Sequence, residues 1–205
     1  MSNIGIMGGT FDPIHNGHLL LGKQAYLEYN LDYIWFMPSG QPPHKKNRHV
    51  TDSVHRCAMV KLALQGESTF LFSDFEVSRK GNTYTAQTLA LLKEAYPYHY
   101  FYYIIGADSL YEIESWYHPK EVLSNIPLLV ADREYSKTHQ SLHTQIEYLT
   151  NRYRANIQLL HCREMDISSE DIRQAVKNKK SIENEVPAAV RAYIESHSLY
   201  YREEE

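Results

Sequence analysis

With 205 residues, 43% of them hydrophobic, the chain is long enough to bury a core of its own, which excludes a small scaffold that depends on disulfide or metal staples. Its formal charge of -4 gives no globally basic surface for nucleic acid or an anionic membrane, so any polyanion has to be held locally. Cys57 and Cys162 stand far apart without CxxC spacing, which excludes a zinc-finger or disulfide framework and suits a reducing cytoplasm.

The first predicted element is a strand over Asn3–Met7, with neither the basic stretch nor the apolar run of an export signal before it. No later segment reaches membrane-spanning length, so a soluble, unprocessed protein is expected. The strand runs into Gly8-Gly9-Thr10-Phe11-Asp12-Pro13-Ile14-His15-Asn16-Gly17-His18, and a helix is expected over Gly17–Tyr29 with Leu20, Ala25 and Leu27 facing inward. A second strand, Tyr33–Met37, ends in a loop over Pro38–Lys46 whose prolines and glycine exclude regular structure. Thr51 is the expected N-cap of a helix through Gln65, because Val54, Ala58, Met59, Leu62 and Ala63 recur at helical spacing. Further strands are expected at Thr69–Phe72, Tyr100–Ile105, Leu128–Ala131 and Ile157–Leu160, and helices at Thr85–Tyr96, Ser136–Tyr153, Ser168–Lys179 and Pro187–Ser196. The 17 tyrosines read as amphipathic packing residues, and Glu203–Glu205 as a solvated tail. Such alternation predicts one α/β domain over residues 1–205, a doubly wound, mainly parallel sheet with helices on both faces. The helical part at about 168–196 packs on it, and ligands bind at the carboxyl ends of the strands.

The opening segment carries the most chemistry. Gly8 and Gly9 let the backbone turn tightly and approach a ligand, Thr10 adds a hydroxyl, and the following helix N-terminus favours an anion. His15 and His18, three residues apart, can face one bound group. As metal ligands they would need a further donor, and the spacing brings no acidic partner. As hydrogen-bond donors to phosphate they need only the anion. Ser168 through Asp171 matches a capping box, so a second well-formed helix start stands near the C-terminus, with Arg173 leaning back toward it. Together the two helix starts form a cradle for a polyphosphate.

The Gly8–His18 segment resembles the signature of the HxGH nucleotidyltransferase superfamily, whose fold is Rossmann-like, and its Gly-Gly-Thr-Phe-Asp-Pro lead-in resembles bacterial nicotinate-mononucleotide adenylyltransferases. Ile167-Ser168-Ser169-Glu170-Asp171-Ile172-Arg173 is similar to a second family element, although Glu170 stands where the family commonly has Thr or Ser. One hydroxyl contact to a triphosphate is thereby missing, and backbone N–H groups are left to serve. The resemblance implies attack by the phosphate of a pyridine mononucleotide on the α-phosphorus of ATP, with Mg2+ bound through the ATP phosphates and no dedicated metal cage. It also implies that His15, His18 and Arg173 are catalytic. Gly8, Gly9, Thr10, Lys45, Gly106, Asp108, Ile167, Ser168 and Ser169 would bind ATP or its phosphates, Asp108 through ribose hydroxyls.

Thr83-Tyr84-Thr85 and Gly106-Ala107-Asp108, with Trp116 soon after, are similar to elements that contact substrates in the same family. Carried over, Tyr84, Thr85 and Trp116 surround the pyridine ring and its carboxylate; the plain alternatives are Thr85 as an N-cap and Trp116 as a packing residue. Arg56 is either a ligand contact or half of a surface ion pair, and Arg133 is a candidate for the adenine side. The alternatives to nicotinate mononucleotide are nicotinamide mononucleotide and phosphopantetheine as acceptors, CTP in place of ATP, or a non-catalytic nucleotide sensor. The expected partners are small molecules, not nucleic acid or membrane, and homo-oligomerisation is left open.

Overall fold

The structure is a computed structural model that describes residues 1–40, 50–131, 141–162 and 167–201. Strands β1 (Asn3–Gly9), β2 (Tyr33–Pro38), β3 (Phe70–Phe72), β4 (Tyr100–Gly106), β5 (Leu128–Ala131) and β6 (Ile157–Leu160) alternate with helices. The helices are α1 (Asn16–Glu28), α2 (Ser53–Ala63), α3 (Thr85–Ala95), α4 (Ala107–Glu112), α5 (Pro119–Asn125), α6 (Leu142–Tyr153), α7 (Ser169–Lys177) and α8 (Ala188–Ser196). The strands form one sheet in the order β3-β2-β1-β4-β5-β6, and every neighbouring pair is parallel. This is the expected doubly wound α/β fold.

Strand periodicity divides the core in two. Along β4, Phe101, Tyr103 and Ile105 face one apolar layer and Ile104 faces the other; β5 repeats this, with Leu128 and Val130 opposite Leu129. One layer packs under α1, α2, α7 and α8 through Ala25, Met59, Ile172, Val176, Val190 and Ile194. The second packs under α3 to α6 through Leu89, Leu92, Leu110, Val122, Leu123 and Leu149. The chain winds outward through β2 and β3, then returns to set β4 against β1. A crevice therefore opens beyond the carboxyl ends of β1 and β4, where this fold holds ligands.

Several boundaries differ from expectation. The N-cap of α2 is Asp52, whose carboxylate accepts from Val54 N–H at 2.8 Å, because Thr51 spends its backbone groups elsewhere. Residues 107–125, without an expected helix, hold α4, a 3-10 turn at Ile113–Ser115 and α5, each too short to show a full apolar stripe. His118 sits at φ 51 just before Pro119 and separates α5 from the turn. Lys45 with its loop from Gln41 onward, Arg133, the first residues of the helix expected from Ser136, and the acidic tail lie outside the described residues.

Helix α1 presses on β2 through Gly22. A Cβ there would stand 2.9 Å from Cζ of Phe36, a fully buried ring packed against Phe11 and Phe70. Gly22→Ala gains about 1 kcal/mol of helix propensity, but overpacking a rigid ring costs about 1–3 kcal/mol. The overpacking wins, and the melting temperature is expected to fall by about 2–4 °C. A melting temperature at or above wild type would show that α1 lifts off β2 freely.

Candidate active site

The turn from β1 into α1 crosses the crevice. Phe11 has φ 52, the Asp12–Pro13 peptide is cis, and His15 is the extended N-cap residue of α1. The His15 backbone N–H donates to Nδ1 of His18 at 3.3 Å, and the two imidazoles stack with centroids 3.6 Å apart. A His18 Nδ1 that accepts is unprotonated, which assigns the ring proton to Nε2. Phe11 presents an edge to His18 at 5.0 Å and restricts its rotation. Gly8 has its own reason: an added Cβ would meet the hydroxyl of Tyr103 at 2.6 Å. Burial pushes the Tyr103 phenol up, the Glu76 charge adds to this, and a hydrogen bond with Thr85 opposes it.

Helix α7 is fastened to the same turn. Ser168 caps it, accepting from Asp171 N–H at 3.1 Å as expected, but the Asp171 carboxylate accepts from the Ser168 hydroxyl at 2.5 Å and not from its backbone N–H, so only half of the expected capping box is made. The Ser169 hydroxyl donates to Pro13 O at 2.9 Å, and Arg173 Nη1 donates to Asp12 O at 2.7 Å. Ile167 lies beside Gly17. The other arm of Arg173 pairs with Glu170, and Gln174 donates to the same carboxylate at 3.3 Å. Two helix N-termini, carrying His15 and His18 on one side and Arg173 on the other, thus meet at Asp12–Pro13.

Arg56 corrects the surface ion-pair expectation. It is 2% exposed and gives its donors to backbone carbonyls: Thr10 at 2.7 Å, Thr51 and Ser39 at 2.9 Å, and Gly40 at 3.4 Å. Burial lowers its pKa, and the nearby Asp12 carboxylate is the largest influence opposing this. Asp12 is 4% exposed and accepts from Thr51 N–H at 3.2 Å, so the two buried charges meet on opposite sides of one residue, Thr51. Nothing in the spacing of residues 12, 51 and 56 signals this.

A cleft of about 480 Å³ opens beside the turn. Gly8, Gly9, Thr10 and His18 form one wall, and Tyr84, Thr85, Gly106 and Trp116 another. The structure therefore gathers these residues, while His15, Ser168, Ser169 and Arg173 lie behind or beside the wall that carries His18. Asp108 is exposed in the first turn of α4 and is not among the cleft-lining residues. Thr85 is not an N-cap: Tyr84 holds that place, and the Thr85 hydroxyl bonds Tyr103. Trp116 both packs on the second core layer and lines the cleft. The rings of Tyr84 and Tyr117 lie 4.3 Å apart. Sequence reading missed Ser39 and gave Thr83 no role of its own within Thr83-Tyr84-Thr85; the buried hydroxyls of both line the cleft without a hydrogen-bond partner among the described residues. Unpaired buried hydroxyls are costly, and a polar ligand would satisfy them. Their only signal was position, one directly after β2 and the other opening Thr-Tyr-Thr. Among the described residues no three His, Cys, Asp or Glu are grouped to hold a metal ion, and no helix is long and apolar enough to cross a membrane.

Residues 6–175 match the cytidylyltransferase-like family model, which defines the class of this fold and site. The Bacillus subtilis nicotinate-nucleotide adenylyltransferase is 38% identical over 200 residues, covering 98% of this chain and 99% of that protein. A Lachnoclostridium phytofermentans protein named probable nicotinate-nucleotide adenylyltransferase is 42% identical over 200 residues, covering 98% and 100%. The chain belongs to the nicotinate-nucleotide adenylyltransferase family of nucleotidyltransferases. The fold also matches the solved structure of Plasmodium falciparum nicotinic acid mononucleotide adenylyltransferase complexed with NaAD, at a TM-score of 0.79 and 23% identity over 98% of both chains.

Replacing Arg56 by Met is expected to cost about 3 kcal/mol or more, since the carbonyls of Thr10, Ser39 and Thr51 would each lose the guanidinium donor, at about 1–3 kcal/mol for a buried acceptor that finds no replacement. Arg56→Lys would restore little of this, because a point charge cannot replace the fork. Urea unfolding measures both; a loss under about 1 kcal/mol for the Met variant would mean that water replaces the guanidinium.

Proposed function

We propose that the protein transfers the adenylyl group of ATP to nicotinate mononucleotide, producing nicotinate adenine dinucleotide and pyrophosphate, a step of NAD biosynthesis carried out in the cytoplasm. The carrying observation is the meeting of the α1 and α7 N-termini at Asp12–Pro13, beside a cleft with an aromatic wall at Tyr84 and Trp116. The names of relatives 38% and 42% identical over nearly the whole chain support the same activity.

In this reading a phosphate oxygen of the mononucleotide attacks the α-phosphorus of ATP. A new P–O bond forms, the α–β bridging bond breaks, and pyrophosphate leaves with its electron pair. The attacking phosphate is already anionic, so positioning and charge stabilisation carry the catalysis. His18 donates from Nε2 to an α-phosphate oxygen as its charge develops, and His15 supports that ring by stacking. Gly8, Gly9 and Thr10 offer backbone and hydroxyl donors to the phosphates. Arg173, with Ile167, Ser168 and Ser169 at the α7 N-terminus, receives the departing pyrophosphate. ATP enters as its magnesium complex, the ion held by phosphate oxygens and water, which suits a site whose donors are mostly N–H groups. Lys45 adds positive charge to the phosphates, and Gly106 meets the ribose from the cleft wall, with Asp108 reaching it from the exposed first turn of α4 outside that lining. On the acceptor side Trp116 stacks on the pyridine ring, while Thr85 and Tyr84 hold the carboxylate end; Ser39 and Thr83 supply further hydroxyls.

Pyrophosphate should be released only when MgATP and nicotinate mononucleotide are both present, and more efficiently than with nicotinamide mononucleotide. Preference for the amide would overturn the acceptor assignment, and no release with either the activity itself. His18→Ala is expected to lower kcat by about 10²–10³-fold, the scale of one lost oxyanion donor, with the melting temperature unchanged. Near-normal turnover would remove His18 from the chemistry. Glu170 competes with the triphosphate for Arg173, so Glu170→Thr is expected to lower KM for MgATP about fivefold with kcat little altered, the scale of a half-exposed like-charge contact. An unchanged KM would show that the ion pair opens without cost.

A further inference from the structure

The last described turn of the chain reaches the phosphate side of the site. After α8 the backbone takes left-handed values at Ser198 (φ 52) and Tyr200 (φ 67), and Leu199 N–H closes the helix end on Ile194 O at 3.0 Å. This reversal brings the Tyr200 hydroxyl to Asp12 Oδ1, donating at 2.8 Å across 188 residues of sequence, with Met59 Sδ at 4.0 Å. The other Asp12 oxygen accepts from Thr51 N–H at 3.2 Å, and the Asp12 carbonyl accepts from Arg173 Nη1 at 2.7 Å. One residue therefore couples Tyr200 through its carboxylate to Arg173 through its backbone. Burial, then the Asp12 charge, push the Tyr200 phenol up, so it remains a donor throughout the neutral range. A hydroxyl that only filled core space would not need a buried carboxylate as its acceptor.

We propose that Tyr200 is a positioning residue for adenylyl transfer: through Asp12 its hydroxyl fixes the turn that aims Arg173 at the phosphates. The inference rests on the adenylyltransferase reading. Without the hydroxyl, Asp12 Oδ1 loses its donor, the carboxylate can rotate off Thr51, and the carbonyl that anchors Arg173 shifts with it. Misplaced charge weakens the phosphate side and leaves the aromatic acceptor wall in place.

Tyr200→Phe removes only the oxygen. Its matched control is Tyr29→Phe, which removes another tyrosine hydroxyl bond, from Tyr29 to the Leu159 carbonyl at the end of α1. Both are assayed at a temperature where circular dichroism shows them fully folded. Tyr200→Phe is expected to lower kcat/KM for MgATP about tenfold, the scale of one charge-assisted hydrogen bond. KM for nicotinate mononucleotide should move less than about twofold, and Tyr29→Phe should match wild type in all constants. Wild-type kinetics in Tyr200→Phe, or equal changes in the constants for both substrates, would overturn the positioning role. An inactive wild-type protein would instead overturn the adenylyltransferase reading, which separates the two failures.

Discussion

A guanidinium with almost no contact with water holds the turn between β1 and α1 together. Strands β1 and β2 pair as far as Gly9 and Pro38, and Ser39 N–H makes one more bond to Gly9 O at 2.7 Å. Beyond that point the chains diverge, and the carbonyls of Thr10 and Ser39 lose their ladder partners in a place too packed for solvent. Arg56, arriving from α2, supplies a planar fork of donors to both and to Thr51. Only arginine matches several fixed acceptors at once. Its own charge is balanced by the nearby Asp12 carboxylate, which takes the N–H of the same Thr51 whose carbonyl Arg56 holds. The turn is thus stiff before any ligand arrives, and little ordering remains to be done on binding.

Stiffness creates an electrostatic difficulty. Two helix N-termini, Arg56 and Arg173 converge on a few residues, and without counter-charge they would repel one another. Three carboxylates answer this in different ways. Asp12 is 4% exposed and fixed by hydrogen bonds on both oxygens, so it cannot leave. Asp171 is tied to the Ser168 cap. The side chain of Glu170 is 55% exposed and can return to water at small cost. Permanent balance therefore lies underneath the turn, and exchangeable balance lies where an incoming polyanion would compete for Arg173.

What the sequence made legible was local. The glycine turn, the two helix starts and the Ser168 cap each depend on residues three or four apart, and the alternation of short apolar strands with helical stretches implied a parallel sheet covered on both faces. The missed parts depend on contact between distant segments. Arg56 was left between a ligand contact and a surface ion pair, with no sign in the sequence that the loops after β1 and β2 would close over it. The Asp12–Tyr200 bond spans nearly the whole chain. Thr51 was expected to cap α2, but Asp52 does so through its carboxylate, while the Thr51 N–H goes to Asp12 far back in the chain. Ser39 and Thr83 show their unpaired hydroxyls only once Gly40 is seen against the Glu76 backbone and the Thr83 side chain.

The two ends of the cleft are also coupled through one phenol. Tyr103 lies on β4 beside β1, and its hydroxyl occupies the space where a side chain at residue 8 would begin. The same hydroxyl bonds Thr85 at the start of α3, on the aromatic wall. Gly8 is therefore dictated as much by a neighbouring strand as by a ligand, and any enlargement at residue 8 must displace Tyr103 and disturb Thr85. Because burial keeps the phenol protonated, this link does not titrate near neutrality. The return of β4 to the side of β1 opens the crevice and also forces the glycine turn and the aromatic wall to share an atom, the Tyr103 hydroxyl oxygen.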